Sequence, residues 1–443
     1  MDKTSGSFCP PLQLDAFLSR LDHEQLARQT GFQQRRPRKI WPQALLRALC
    51  LLLFQPRATL EGLAILLGLT QNQTLSKQAV AKRLSRSCLH FIQEVLLIAL
   101  RSAAAVSPVL DTAVFASFGR VLIQDSTCFG LPAHLAHLYP GCRNQHRGGI
   151  AYAVLRLQAV YDLLTDQCLH FSCSPYTRND QIAAPDILAL TRPGDLVLRD
   201  LGYFVLGVFE QMQQQGIFFL SRLRPGLYLH SPQGERWQWS KLSRTSAPLD
   251  ETVCLGKEQR LQVRLVARPV PLAVAAERRR RLYRDSRNRR PSQERLALLH
   301  WDVFITNVPD TIWTTSQALK VYAARWRIEI IFKSWKSGFH LAQTLRGSAL
   351  QVEACLYAQL LLITLAHHAA ALIRQTEPFA SAPPLSILKY AQFWNSFGLM
   401  ILASNFSPGP SLDLISELIC RHCRLDKRKQ RRNYLQSLEC QWP

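Results

Sequence analysis

"GDLVLRDLGYF", residues 194–204, decides the fold. Leu196, Val197 and Leu198 form an apolar run too short for a helix, closed by Asp200 and the turn-forming Gly202. That is the pattern of a buried strand. Upstream, "RVLIQDST" (120–127) repeats it and ends in Asp125. Open α/β sheets place their functional groups at the carboxyl ends of such strands.

Working outward, "LQAVYDLLTDQCLHFSC" (157–173) reads as strand, turn and strand, "RNDQIAAPDILAL" (178–190) as a capped helix, and "GIFFLSRL" (216–223) as another strand. The chain then turns irregular and β-like through "LYLHSPQGERWQWSKL" (227–242) and "LQVRLVARPV" (261–270). A basic helical stretch, "ERRRRLYRDSRNRRPSQERLALLHW" (277–301), leads into one more strand, "DVFITNV" (302–308). This order predicts an α/β sheet with an inserted β-rich segment. Residues 1–118 read as all-helical, from apolar runs such as "ALLRALCLLLF" (44–54). The expected division is 1–118 helical and DNA-binding, 119–223 and 301–375 as two parts of one catalytic domain, 224–300 as the β-rich insertion, and 376–443 as a helical, basic C-terminal region.

The stretch "YAARWRIEIIFKSWK" (322–336) predicts a helix with an unusual polar face. Arg325, Glu329 and Lys336 follow Tyr322 by 3, 7 and 14 residues, which at about 100° per residue puts all four heads on one narrow side. Plain intrahelical ion pairing would use Arg325, Glu329 and Lys336 but leave Tyr322 without a part. Three acids from separate elements, Asp125, Asp200 and Glu329, are costly to gather because like charges disfavour each other's ionisation. A bound cation removes that cost, and hard oxygen ligands suit Mg²⁺ or Mn²⁺. Two such ions serve phosphoryl transfer.

The charge balance points to a polyanion. Against 31 acidic residues stand 54 Lys plus Arg, a formal net charge of +23 over 443 residues. DNA or RNA is the expected partner rather than a membrane surface. The opening "MDKTSGSFCPPLQL" lacks the apolar core of a signal peptide, so the expected location is the cytoplasm. "LYAQLLLITLAHHAAALI" (356–373) approaches membrane length but contains His367 and His368, and is read as a buried helix. The 12 cysteines lack the spacing of a disulfide scaffold. Cys420 and Cys423 in "CRHC" have ligand-like spacing, but no second pair answers them.

In "ATLEGLAILLGLTQNQTLSKQAVAKRLSRS" (58–87), Thr59 caps a first helix, Gly68 ends it, and Ser76 caps a second that exposes Lys77, Lys82 and Arg83. Two readings fit, a DNA-binding helix-turn-helix and an ordinary solvated helical hairpin. The preceding "QQRRPRK" (33–39) is a phosphate-clamping arm or a solvated loop.

Together these residues resemble the DDE transposases of bacterial insertion sequences, in the branch called the insertion sequence 4 family. The resemblance rests on Asp125, Asp200 and Glu329 in that order, and on Y-x2-R-x3-E-x6-K complete at Tyr322, Arg325, Glu329 and Lys336. "DST" after the first aspartate, "DLGYF" from the second, and "FFLSRL" with Arg222 add to it. It covers roughly residues 115–370. It implies a ribonuclease-H-like catalytic domain with an inserted β-rich subdomain, and metal-dependent cleavage and joining of DNA at transposon ends. Asp125, Asp200 and Glu329 would hold two Mg²⁺ or Mn²⁺ ions, while Tyr322, Arg325, Lys336 and Arg222 would contact DNA. The resemblance further implies a homodimer on DNA, associated with the bacterial nucleoid. Some members hold a displaced base against an aromatic ring of the insertion, so Trp237 and Trp239 are either that platform or the packed residues of a β-hairpin. The arginines from Arg278 to Arg290 and the tail "RLDKRKQRRN" (424–433) track DNA backbone or carry solvated charge. Two rivals share these residues: a ribonuclease-H-like nuclease that cuts without joining, and a non-catalytic DNA-binding protein derived from a transposase.

Overall fold

The computed structural model describes residues 17, 20–35, 39–52, 54–55, 57–105, 113–141, 153–241, 247–257, 261–285, 290–341, 343, 346–374, 385–403 and 412–425. The tail 426–443, which includes most of "RLDKRKQRRN", lies outside the described residues, as do 286–289 of the arginine-rich stretch.

Among the described residues the first elements are helices α1 (His23–Gln29), α2 (Pro42–Leu52), α3 (Leu60–Gln71), α4 (Lys77–Arg83) and α5 (Arg86–Ala104). Thr59 caps α3 through its hydroxyl and Ser76 caps α4, as their side-chain chemistry dictates. Helix α3 runs past Gly68 and ends where Asn72 takes a left-handed conformation at φ 50°. Asparagine tolerates that region, and its N–H then closes the last turn on the Gly68 carbonyl.

Strands β1 (Val121–Leu131), β2 (Ala153–Asp162) and β3 (Gln167–Pro175) follow, then α6 (Asp180–Ala183), β4 (Leu196–Arg199), α7 (Leu206–Gln214) and β5 (Phe218–Arg222). Next come β6 (Leu229–His230), β7 (Leu249–Leu255), β8 (Leu261–Pro269), α8 (Leu272–Asp285), α9 (Gln293–Leu298) and β9 (Trp301–Thr306). The last elements are α10 (Thr315–Val321), a 3₁₀ segment (Tyr322–Trp326), α11 (Arg327–Ser337), α12 (Ala349–Arg374), α13 (Ile387–Ala403) and α14 (Leu412–His422).

Among the described residues, all nine strands join one mixed sheet in the order β3-β2-β1-β4-β5-β9-β8-β7-β6. Strands β1, β4 and β5 are mutually parallel and the remaining pairings are antiparallel. The β-rich segment extends the central sheet: β9 pairs with β5 on one side and with β8 on the other. Leu265, Val266 and Ala267 of β8 are buried with Val303, Phe304 and Ile305 of β9, so the apolar strands of the segment gain more by continuing this sheet than by forming their own.

Alternation along the strands divides the core in two. Val121, Ile123, Leu196, Leu198 and Leu220 belong to the core under the N-terminal helices, α11 and α12. Leu122, Val197 and Phe219 face the other way, against α7 and the β-rich segment. Helices α5 and α12 are long and apolar enough to cross a membrane, but here both line the first core, and half and 83% of their most apolar windows are buried. Cys423, at the end of α14, packs into the same core.

Candidate active site

The register of the parallel strands builds the site. Gln124 pairs with Arg199, and Arg199 with Ser221, so the next residues, Asp125, Asp200 and Arg222, form one row across three adjacent strands. Neighbours in a row point to the same face, about 4.8 Å apart. By the alternation above, that face is the one α11 covers. Strand β1 does not stop at Asp125 as expected; it runs on to Leu131 because β2 continues to pair with it, as far as Leu131 opposite Ala153. What ends before Asp125 is the pairing with β4, whose last pair is Gln124 with Arg199, so Asp125 and Asp200 both lie just past the end of that ladder.

The helix bearing the polar face is broken. Residues 322–326 wind as a 3₁₀ turn between α10 and α11, which overwinds the chain relative to an α-helix and shifts the phase of Tyr322 and Arg325 against Glu329. The phases therefore differ from those of one continuous helix. Arg325 turns inward and faces all three acids. Its guanidinium donates to Glu329 Oε1 at 2.9 Å and lies 3.5 Å from Asp125 Oδ2 and 3.6 Å from Asp200 Oδ1. Only 7% of the Arg325 side chain is exposed. Tyr322 is buried against Phe304, and its hydroxyl donates to the Arg199 carbonyl at 3.3 Å, next to Asp200. Lys336 donates to the Cys128 carbonyl at 3.0 Å, tying the end of α11 to β1.

Electrostatics set Asp125 apart. Burial pushes its carboxyl up to about 7, and nearby Asp200 and Asp180 add to the rise, against the Ser126 N–H and Arg325. Three carboxylates share one guanidinium, so the formal balance is −3 + 1 = −2. Such a set lacks a divalent cation's worth of charge, and its all-carboxylate donors are the hard oxygens that Mg²⁺ and Mn²⁺ prefer. Arg325 lies between the three acids, and no group of three or more His, Cys, Asp or Glu among the described residues is spaced to hold an ion.

Behind Asp125 lies a network that sequence reading missed. Asp180 Oδ1 accepts from Ser126 Oγ and Arg156 Nη1, both at 2.7 Å, and from Gln158 Nε2 at 3.2 Å. In "RNDQ" the cap itself is Asn179, which accepts from Ile182 N–H and leaves Asp180 to turn toward β1. A Cβ on Gly202 would lie 3.1 Å from Asp180 Oδ2, so the glycine after the second aspartate makes room for this acid. Trp326 was also missed: it is 53% exposed, with the Arg325 guanidinium 5.3 Å from its ring centre.

The other residues singled out from the sequence lie outside the row. Trp237 and Trp239 pack edge to face at 6.1 Å; Trp239 is buried and Trp237 half-buried, with its Nε1 unpartnered. Both line a cavity of about 1020 Å³ that reaches Leu201 and Gly202 beside the second aspartate. Lys77 and Lys82 are exposed on α4, while Arg83 lies over the Phe32 ring at 4.2 Å. Arg35, Lys39, Lys82 and Arg83 line a cleft of about 540 Å³.

A family model described as "Transposase DDE domain" matches residues 116–365, more than half of the chain and every residue of the row and of α11. The chain belongs to the DDE transposase family. It is 31% identical to a transposase for insertion sequence element IS231D of Bacillus thuringiensis subsp. finitimus, over 77% of this chain and 75% of that protein. Its identity to the IS231C transposase of B. thuringiensis subsp. berliner is 30%, over 74% and 73%. The IS1151 transposase of Clostridium perfringens is 28% identical, over 70% and 69%. The transposase is accordingly an enzyme of DNA cleavage and strand transfer, in a family that generally uses divalent metal ions.

Proposed function

We propose that Asp125, Asp200 and Glu329 are the catalytic carboxylates with which this transposase cuts DNA at the ends of its element and joins them to a target. The observation that carries the reading is the convergence of three acids, from β1, the end of β4 and α11, on one guanidinium. The parallel β1-β4-β5 centre with an antiparallel β2-β3 hairpin supports a ribonuclease-H-like core. The complete Tyr322, Arg325, Glu329, Lys336 spacing supports the insertion sequence 4 branch.

The all-carboxylate chemistry of Asp125, Asp200 and Glu329 suits Mg²⁺ or Mn²⁺, and with Arg325 displaced these three would hold a pair of such ions. Bound there, the ions would polarise the scissile phosphodiester and favour the deprotonated form of the attacking hydroxyl. Arg325 is the chain's own counter-charge for these acids and has to release them when ions enter. Its planar donors suit a phosphate oxygen in bidentate contact, so a DNA strand offers it an alternative partner. Lys336 supplies a second cation at the other end of α11. Tyr322, expected from the sequence at the DNA, gives its hydroxyl here to the Arg199 carbonyl, and we assign it the role of fixing the end of β4 that carries Asp200 in place of a phosphate contact. Trp326 presents an open indole face to a base at the strand end. The cavity lined by Trp237 and Trp239 is where a displaced base would be held.

The reaction runs in two transfers. Water attacks the phosphodiester at the element's end, and the freed 3′-hydroxyl attacks target DNA. Joining two ends requires both to be held together, so the working species is a homodimer on DNA in the bacterial cytoplasm, at the nucleoid. Residues 1–118 contact the element's ends through Lys77, Lys82 and Arg83, and Arg222 contacts the strand near the row. The intact trio of acids speaks against a binding-only descendant, and family membership favours joining over cutting alone.

Asp200→Asn tests the reading with an end duplex and with the same duplex already cut to a free 3′-hydroxyl. Retained DNA binding with loss of both cleavage and joining is expected. Wild-type rates in either assay would remove Asp200 from the mechanism.

A further inference from the structure

Three arginines from three elements meet on one carboxylate beside the catalytic row. Asp302 of β9 is 9% exposed. Its Oδ1 lies 2.6 Å from Arg278 Nη2 of α8 and 3.3 Å from Arg222 Nη2 of β5, and its Oδ2 lies 3.3 Å from Arg268 Nε of β8. One buried carboxylate needs one cation; the cluster supplies three, so its formal charge is +3 − 1 = +2. The side chains are not buried as a structural network would require: those of Arg222 and Arg268 are 46% and 50% exposed and that of Arg278 29%. Gathering like charges at a surface is unfavourable unless an anion completes the set.

The sheet fixes where this ledge lies. Arg268 is paired in register with Asp302, and Arg222 with Phe304 two residues along the same strand. Arg222 also follows Asp125 and Asp200 in the catalytic row, and its charge reaches Tyr322. The ledge therefore begins at the reacting centre and runs across β5, β9 and β8 toward the β-rich segment.

We propose that Arg222, Arg268 and Arg278, held in place by Asp302, form a binding ledge for successive phosphodiesters of a DNA strand leaving the catalytic row. Arg222, and Arg278 as the first of the arginine-rich stretch, are already expected at DNA; Asp302 and Arg268 extend these contacts and join them into one path. The inference rests on the transposase reading and names a path for its substrate. Guanidiniums pre-oriented on a shared carboxylate lose little freedom on meeting phosphate, which is how a backbone contact gains strength without sequence preference.

Arg268→Ala is the sharpest variant, because Arg278 also donates to the Leu299 and Trp301 carbonyls. Arg268→Gln, which keeps most of the stem, is measured alongside so that a folding defect in one variant does not leave the question open. Full-length protein is titrated with two linear duplexes, one bearing the inverted repeat that flanks its coding region and one of random sequence, over roughly 50–200 mM salt. The expected result is a salt slope of log K lowered by about 0.9 and an affinity several-fold weaker, with Arg192→Ala, an exposed position in the loop before β4 at the amino ends of the parallel strands, unchanged. A loss confined to the repeat duplex assigns the ledge to the element's end; a loss on both assigns it to any duplex, target included. Unchanged slopes on both duplexes, in both variants, overturn the ledge. Wild-type protein that binds neither duplex would instead sink the transposase reading, and the two failures are thus distinct.

Discussion

Replacing Arg325 by alanine should tighten the binding of a divalent ion in the absence of DNA, while ending DNA cleavage. The guanidinium lies 3.5 Å from Asp125 Oδ2, which is the most enclosed of the three acids, with a side chain 17% exposed. Burial pushes the Asp125 carboxyl up to about 7, so the pair is largely ionised only above that value; at about pH 8 and an effective dielectric near 20, unit charges at that separation attract by about 5 kcal/mol. The Asp200 and Glu329 side chains are 40% and 39% exposed, so solvent reduces their pairs to at most about 1 kcal/mol each. Taking the guanidinium out of water offsets much of the total. A net of about 2–3 kcal/mol then separates an ion that must displace Arg325 from one that need not, which is roughly a 30–150-fold change in affinity. Calorimetric titration of DNA-free protein with Mn²⁺ reads this directly. The alanine variant should bind at least about tenfold more tightly than wild type, and its melting temperature should rise more on adding Mn²⁺. Equal or weaker Mn²⁺ binding by the variant would refute the idea that the guanidinium and the ion compete for the same three oxygens.

Three further outcomes are expected. Asp166 is buried, and the guanidiniums of Arg327 and Arg374 overcome the effect of burial and hold its carboxyl at about 2, below the ordinary 3.8. A depressed carboxyl stabilises the fold above its unfolded value and loses that contribution as pH falls, so Asp166→Asn should cost about 2 kcal/mol in urea unfolding near pH 7 and progressively less between about pH 4 and 2; a difference independent of pH would contradict this. Tyr322→Phe removes the bond to the Arg199 carbonyl and should lower stability by about 1 kcal/mol with the salt slope of DNA binding intact, whereas a lowered slope would return Tyr322 to the phosphate contacts. Gly202→Ala places a methyl 3.1 Å from Asp180 Oδ2; single-turnover cleavage should slow about tenfold as Asp180 loosens its hold on Ser126 and Arg156, and a wild-type rate would deny Asp180 a positioning role.

Much of the candidate site was legible as a grouping of residues because it rests on local pattern. Two short apolar runs, each followed by aspartate, gave Asp125 and Asp200, and the spacing from Tyr322 to Lys336 gave the third acid with its cations. Thr59 and Ser76 were legible as caps for the same reason. What escaped depends on pairings far apart in the chain. The length of β1 is set by β2, and the continuation of the sheet by β9, neither of which leaves a mark in β1 or β8 themselves. The 3₁₀ turn at Tyr322–Trp326 keeps the residue types of an α-helix and differs only in winding. Asp180 and Asp302 look like ordinary surface acids until Arg156 and the three arginines, 24 to 80 positions away, are brought to them.

Because Trp301–Thr306 is laddered on both sides, the β-rich segment cannot be removed as a detachable module. Excising it would strip β9 of one partner and open a row of unsatisfied amides and carbonyls two strands from Asp200, a ready template for a second chain. Shortened descendants of such a protein would have to blunt that rim with proline, lysine or a covering helix, or survive only as self-associating species.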